Sequence, residues 1–446
     1  MLKRFKNIVS DPEVNFTVLF RLSQALFGLF LVFLIPFYLD PIEQGLYFTF
    51  LSLTAAQVFF ELGLNQVIIQ SVSSYKGIFA SSKLLFDKAT QAHNLIALHE
   101  KLFKIYLVLS ILFFLIISLI GYFTFTNVQG LLIESWLVPW IILVFFTAVN
   151  LFLSPFLSFH EGLGRVHQVY KLRVIQTVIG ASGSIVLLIL DFKLYSFLAL
   201  PIVCSVISFV WIKFNLHHLL DYRQLASSLI GGNFSWFKEI FSLQWRVSLS
   251  WISGYFIFHF LQPIIFYFYG PIIAGQFGIS FNILKAASNL SISWISPKLP
   301  ELSGLYFANN KPHMNKVFYR HAFYVMAISL FLLTGLNVAY VLFVMIDQEI
   351  TSRFLSQDLF LVLSLISFID VYIFCLALYT RAHREEPFFV ISVFSAISTI
   401  LLASIAIFLS FNEFLIVRLF IIMVIVMPWS YMVFRLYKLK HWKNIN

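Results

Sequence analysis

Twelve long apolar stretches constrain this chain more than anything else in it. They fall at 16–39, 43–71, 104–126, 135–160, 171–190, 194–214, 245–268, 272–297, 320–346, 355–380, 388–411 and 414–435. A helix needs about 20 mostly apolar residues to cross the roughly 30 Å hydrocarbon core of a bilayer, whereas a barrel strand needs only about ten. The stretches are of helical length. With 60% of residues apolar and 11% charged, the chain has too little polar surface for an ordinary soluble domain. The pattern therefore predicts an all-α integral membrane protein with 12 transmembrane helices.

The polar segments between the stretches alternate in charge. Segments 1–15, 73–104, 160–173, 213–246, 298–320, 381–387 and 435–446 hold 25 of the 30 Lys and Arg. The alternate loops are short and hold only Lys193 and Arg353, beside Asp40, Glu43, Glu134, Asp191, Asp347, Glu349 and Glu413. Because cytoplasmic loops carry the excess of Lys and Arg, both termini are expected in the cytoplasm. The net charge of +10 then reflects topology and an anionic inner leaflet, and a nucleic-acid partner is not expected. The basic start, with Lys3, Arg4 and Lys6, precedes an apolar run too long for a signal peptide and reads as a retained first helix. In 76–103, apolar Leu84, Leu85, Phe86, Leu95, Leu98 and Leu102 alternate with Lys83, Lys88, His93, His99 and Lys101. Two readings stay open, a helix lying on the membrane surface and an extension of the third span. Trp136, Trp140, Trp211, Trp245 and Trp442 read as interface anchors.

An internal echo suggests duplication. Pro41-x-x-x-Gly45-Leu46-Tyr47-Phe48 returns as Pro271-x-x-x-Gly275-Gln276-Phe277-Gly278, each after an aromatic-rich run and near half the chain length apart. Two pseudo-symmetric six-helix bundles around a central cavity follow, residues 1–220 and 245–446, joined by a cytoplasmic linker at 221–244 containing Gly231 and Gly232. His217 and His218, just before it, form a pair and not a site.

The sequence lacks a P-loop, a dinucleotide fingerprint and any His/Cys/Asp cluster with metal spacing, so no enzyme activity, cofactor or metal is expected. Cys204 and Cys375 lie inside apolar stretches and read as packing residues. No cytoplasmic segment is long enough for a nucleotide-binding domain, which leaves an ion gradient, the substrate's own gradient or a partner as the energy source. Ionisable residues inside spans are costly and therefore informative. Lys285 and Asp370 fall near mid-span, as a cavity-lining pair or a structural one, and His259 near the middle of the seventh stretch. Arg21 and Arg418 lie near span ends, where snorkelling explains them as well as function does. Glu61, Gly63, Asn65 and Gln66 cluster in the second stretch, for packing or for gating. Pro263, after His259 and Gln262, predicts a kink.

The twelve-span plan, Tyr38-Leu39 before Gly45-Leu46-Tyr47, the run Glu61-Leu62-Gly63-Leu64, Gly270-Pro271-x-x-x-Gly275-Gln276-Phe277 and Pro297-Lys298-x-Pro300 resemble the polysaccharide-transporter branch of the multidrug/oligosaccharidyl-lipid/polysaccharide exporter superfamily. That resemblance covers nearly the whole chain. It implies a flippase of the bacterial inner membrane that moves an undecaprenyl-pyrophosphate-linked oligosaccharide, such as an O-antigen or capsule unit, to the periplasmic leaflet. It further implies Lys285, with Arg21 and Arg418, in a cationic cavity. Its implied partners are the lipid-linked oligosaccharide, membrane lipids, a polysaccharide polymerase and other assembly proteins. Two rivals remain open: an ion-coupled drug/cation antiporter of the same superfamily, in which Asp370 and Glu61 matter most, and a membrane glycan polymerase, against which the short outer loops argue.

Single cysteines placed in 76–103, 213–246 or 298–320 are expected to resist a membrane-impermeant thiol reagent in whole cells, while Glu413→Cys labels readily. Labelling of 213–246 from outside would overturn the charge argument.

Overall fold

The computed structural model describes residues 12–81, 85–126, 132–215, 242–307, 310–346, 348–383 and 387–442. The basic N-terminal residues Lys3, Arg4 and Lys6, the linker with Gly231 and Gly232, the His217–His218 pair and Asp347 lie outside them. Helices make up nearly all of the described chain, and no strand occurs among the described residues. Every one of the twelve apolar stretches coincides with helix. They are α1 Pro12–Tyr38, α2 in the pieces Pro41–Glu61 and Leu64–Ala80, α3 Leu85–Thr126, α4 Ile133–Gly162, α5 Val166–Ile189 and α6 Ala199–Asn215. Then come α7 in the pieces Ser242–Phe258 and Leu261–Tyr269, α8 Pro271–Ile292, α9 Lys311–Ile346, α10 Gln357–Arg381, α11 Phe389–Ser404 and α12 at 411–442. Nine spans among the described residues are long and apolar enough to cross a membrane, or ten with the two pieces of α2, which are bent by 41°. The α11 helix is shorter, at 16 residues.

Several helix starts are written in the sequence. Asp40 Oδ1 accepts from the Glu43 amide at 2.7 Å and Glu43 Oε2 from the Asp40 amide at 3.1 Å, a reciprocal cap opening α2. Ser410 and Glu413 repeat the device at α12. The acids of the Lys-poor loops thus also serve the positive ends of helix dipoles. At α8, Gly270 takes a φ of +88° and Pro271 fills the first helical turn, where a missing amide costs nothing.

The chain forms two compact units. One comprises the chain up to Leu34 with Phe50–Ile252, the other Ile35–Thr49 with the chain from Ser253. In the first unit, Leu153, Phe156, Leu157, Val169, Leu172 and Ile212 form a core where α4, α5 and α6 meet. Gln176 there donates to Ser208 Oγ at 2.7 Å and to the Cys204 carbonyl at 3.1 Å. The 76–103 question resolves for the described part: α3 runs unbroken through Thr126, and Ala89, Ala92, Leu95, Leu98 and Leu102 are buried in protein. It is an extension of the span. Trp136 and Trp140 correct the interface-anchor expectation, since both are wholly buried. Phe50 and Phe125 pack on the Trp140 ring at centroid distances of 5.0 and 5.4 Å, and Gly121 presses against that same ring.

Within the second unit the two echoed motifs touch each other. A Cβ on Gly45 would lie 2.0 Å from the Pro271 carbonyl oxygen, and one on Gly275 would lie 3.0 Å from the Gly45 nitrogen. A Cβ on Gly278 would meet Phe48 at 2.4 Å. The start of α2 therefore crosses the start of α8 through a face of small residues, the means by which helices approach closely without a hydrophobic drive. Gln262 reinforces the crossing, donating to the Ala274 carbonyl at 2.8 Å and to Thr49 Oγ1 at 3.5 Å.

Gly45→Ala is expected to lower the unfolding temperature of the purified protein by the equivalent of about 1–3 kcal/mol, the cost of overpacking. Gly77→Ala, where nothing lies within 4 Å of the added Cβ, is expected to be neutral or mildly stabilising. Equal effects of the two would dismiss the crossing as a constraint.

Candidate functional site

Two groups of polar side chains occupy span interiors, one in each unit. Each sits beside a break in a helix.

In the first unit α2 breaks after Glu61. Leu62 and Gly63 take left-handed backbone, with φ of 48° and 67°, which ends one piece and starts the next. Gly63 serves that turn, where a side chain at positive φ is strained. The Gln66 amide then pairs with the Gly63 carbonyl at 3.1 Å, and the Leu62 carbonyl instead accepts from Ser248 Oγ of α7 at 3.0 Å. Glu61 Oε2 accepts from Asn65 Nδ2 at 3.2 Å, and the same amide reaches Ser154 Oγ of α4 at 3.2 Å. Tyr106 OH of α3, fully buried, donates to Asn65 Oδ1 at 3.4 Å. A carboxylate, an amide and two hydroxyls thus converge at the break. Gln66 has an exposed side chain; Asn65 makes the crossing to other helices. Asn65 stands four residues after Glu61, the spacing at which helical side chains meet, and that spacing was the available signal. Ser154 and Tyr106 had none, because hydroxyls in apolar helices are commonplace.

In the second unit four of the candidates come together. Lys285 of α8 places Nζ 4.8 Å from the centroid of Phe258 and 5.4 Å from that of Phe281, an arrangement in which ring quadrupoles attract the ammonium. His259, in the turn between the pieces of α7, and Asp370 of α10 both lie within electrostatic reach of Lys285. Asp370 is also within reach of Arg418 of α12. Arg418 is 7% exposed and donates from Nη2 to the Ile257 carbonyl at 3.0 Å, an oxygen in the last turn of a helix piece, where helical partners run out. Its Nη1 is buried and has no hydrogen-bond partner among the described residues. Arg418 is covered by protein and does not reach out to a water interface. No direct ion pair joins Asp370 to Lys285 or to Arg418 among the described residues. The group is one carboxylate between two cations, held apart.

Arg21 stands on an exposed stretch of α1. At the Pro263 position the expected interruption takes the form of a turn: α7 stops at Phe258 and resumes at Leu261, and the His259 carbonyl accepts from the Gln262 amide at 3.3 Å. A strong pair outside the candidates is Arg173 with Glu161, 3.3 Å apart at the Lys- and Arg-rich end of the first unit. Among the described residues no group of three or more His, Cys, Asp or Glu could hold a metal ion.

No protein-family model matches the sequence, and no curated protein matches it. Solved structures do match in fold. An inward-facing multidrug resistance MATE family transporter of the MOP superfamily superposes with a TM-score of 0.54 at 14% identity, over 93% of this chain and 99% of that one. A MOP superfamily transporter from Pyrococcus furiosus superposes with a TM-score of 0.52 at 14% identity, over 96% of this chain and 97% of that one. That transporter has a binding pocket of reverse polarity, which suggests a different function for it. At this identity the likeness establishes the fold alone, which is shared with these two transporters.

Arg418→Met is expected to destabilise the protein by about 2 kcal/mol, because the Ile257 carbonyl loses its partner and Asp370 a neighbouring cation. Thermal unfolding in detergent reads the loss. Adding Asp370→Asn is expected to restore part of it; strictly additive losses would mean that the two side chains are not coupled.

Proposed function

We propose that this chain is an ion-coupled secondary transporter of the bacterial inner membrane, with both termini cytoplasmic, that exports an amphipathic molecule by alternating access. The MOP transporter fold supports the class. Cargo is the finer question. The likeness to a multidrug resistance transporter favours a drug/cation antiporter, with Asp370 and Glu61 as the groups that accept a cation. The charge of the second-unit group favours an anion, and that observation carries our conclusion. Lys285 and Arg418 oppose one carboxylate, and Lys285 rests against aromatic rings with no carboxylate in ion-pair contact among the described residues.

The cargo class that suits this balance is an undecaprenyl-pyrophosphate-linked oligosaccharide. Its sugars cannot enter hydrocarbon without losing the water on every hydroxyl, and its diphosphate adds charge to that cost. A polar path through the protein replaces the water while the lipid tail stays in the bilayer. Lys285 offsets the diphosphate as a mobile point charge with rotatable donors, which binds without the fixed fork of a guanidinium. Glu61, hydrogen-bonded through Asn65 to α3 and α4, is placed to change charge state and packing together, the property that coupling to protons or another cation requires. A polysaccharide polymerase and other assembly proteins are natural partners of such a flippase.

Complementation of a flippase-null strain tests the reading. Lys285→Ala is expected to abolish glycan export at normal membrane abundance, Lys285→Arg to keep part of it, and Asp370→Asn to be tolerated better than Lys285→Ala. Normal export by Lys285→Ala, together with drug resistance that Asp370→Asn or Glu61→Gln abolishes, would decide for the antiporter.

A further inference from the structure

A groove on the second unit is unrelated to either polar group. It has a volume of about 570 Å³ and lies between α9, α10 and α12. Its floor is apolar and aromatic, with Phe318, Cys375 and Phe434 buried beneath it. Its walls are open: Phe323 is 69% exposed, Tyr431 51% and Tyr319 47%. Side chains this apolar and this uncovered, on helices of spanning length, face acyl chains in a membrane.

One end of the groove is charged. Arg435 and Lys438 line it, and Lys438 Nζ donates to Tyr319 OH at 2.8 Å while lying 4.8 Å over that ring. The tyrosine positions the ammonium at the groove mouth. The two helices that form the mouth are basic there: α9 carries Lys311, Lys316 and Arg320, α12 carries Arg435, Lys438 and Lys440, and neither 311–330 nor 427–442 contains an Asp or Glu. Met326 stands seven positions after Tyr319, and Lys438 seven after Tyr431, so the groove runs about 10 Å along its helices. That length suits the upper part of an acyl chain, with a headgroup at the basic mouth.

We propose that this groove is a binding site for an anionic phospholipid of the surrounding bilayer, with the phosphate on Arg435 and Lys438 and an acyl chain along Phe318, Phe323, Tyr372 and Tyr431. Charge complementarity commits the site to an anionic lipid. A zwitterionic lipid would fill the same groove but would bring a trimethylammonium or ammonium to a mouth that is already cationic. The mouth lies at the end that the charge pattern assigns to the cytoplasm, where anionic headgroups create a negative surface potential. The proposal is independent of which cargo the transporter carries.

Thermal unfolding of the full chain, purified in a neutral detergent and titrated with phosphatidylglycerol or phosphatidylcholine, tests it. The expected result is a saturable rise in unfolding temperature with phosphatidylglycerol and a much weaker one with phosphatidylcholine. Arg435→Gln, and the double variant Arg435→Gln/Lys438→Gln, are expected to raise the half-effect concentration by roughly fivefold per charge removed. Ala322→Trp, which fills the groove and leaves its charges in place, is expected to remove saturation, and Lys440→Gln to leave it unchanged. Equal responses to the two lipids, or a double variant that titrates like the parent, would overturn the site. A response to inorganic phosphate alone, or to undecaprenyl phosphate in preference to phosphatidylglycerol, would likewise overturn the assignment to bilayer phospholipid.

Discussion

Hydrocarbon offers no partner to an N–H or a carbonyl, so a span can be interrupted only where the protein itself supplies one. That constraint explains where polar side chains appear in this chain. The second helix breaks at Leu62 and Gly63, and Ser248 takes up the Leu62 carbonyl. The seventh breaks at His259, and Arg418 takes up the carbonyl of Ile257. In both cases the polar group that repairs the backbone comes from a different helix. Each repair also lies next to an ionisable residue, Glu61 in one and Lys285 with Asp370 in the other. The breaks and the charges are one feature, since the cost of either is lowered by the presence of the other.

The crossing of α2 and α8 places a second demand on the sequence. Helices in lipid gain little from apolar contact and must instead bring backbones close. Gly45, Gly275 and Gly278 meet that need, with Pro271 and Phe48 filling the space a larger residue would claim. It also accounts for the membership of Ile35–Thr49 in the second unit, although these residues come early in the chain. Asp40 and Glu43 close the amide end of the same helix, so a short segment carries a cap, a turn and a contact at once.

How much of this could be read beforehand depends on what each signal reports. Apolar length reports spans, and all twelve stretches became helix. The echo of Pro41 and Pro271 is a likeness in sequence, and only coordinates reveal that the two motifs touch, because sequence similarity carries no distance. Trp136 and Trp140 read as interface anchors since a tryptophan near a span end looks the same whether it meets headgroups or Phe50 and Phe125. Arg418 was open between snorkelling and function for a similar reason: position along a helix does not say which side faces protein. Asn65, and not Gln66, joins α3 and α4 because a break at Gly63 resets the helical phase, and periodicity cannot be carried across it.

The two groups differ in how they respond to a change of charge. Around Glu61 the polar neighbours among the described residues are neutral, so loss or gain of one proton changes the charge of that group and the hydrogen bond to Asn65 with it. Around Asp370 the neighbours are cationic, and a change at the carboxylate leaves two positive charges facing each other less well screened. Neutral surroundings make a carboxylate responsive to a coupling ion; cationic surroundings make a site responsive to an anion. Placing these in separate units, each beside a helix already broken and repaired by a side chain, gives each group a backbone that can shift without exposing a bare carbonyl to lipid. Uniform helices carrying the same side chains would have no such freedom, because a change of charge would have to be absorbed by an intact ladder of hydrogen bonds.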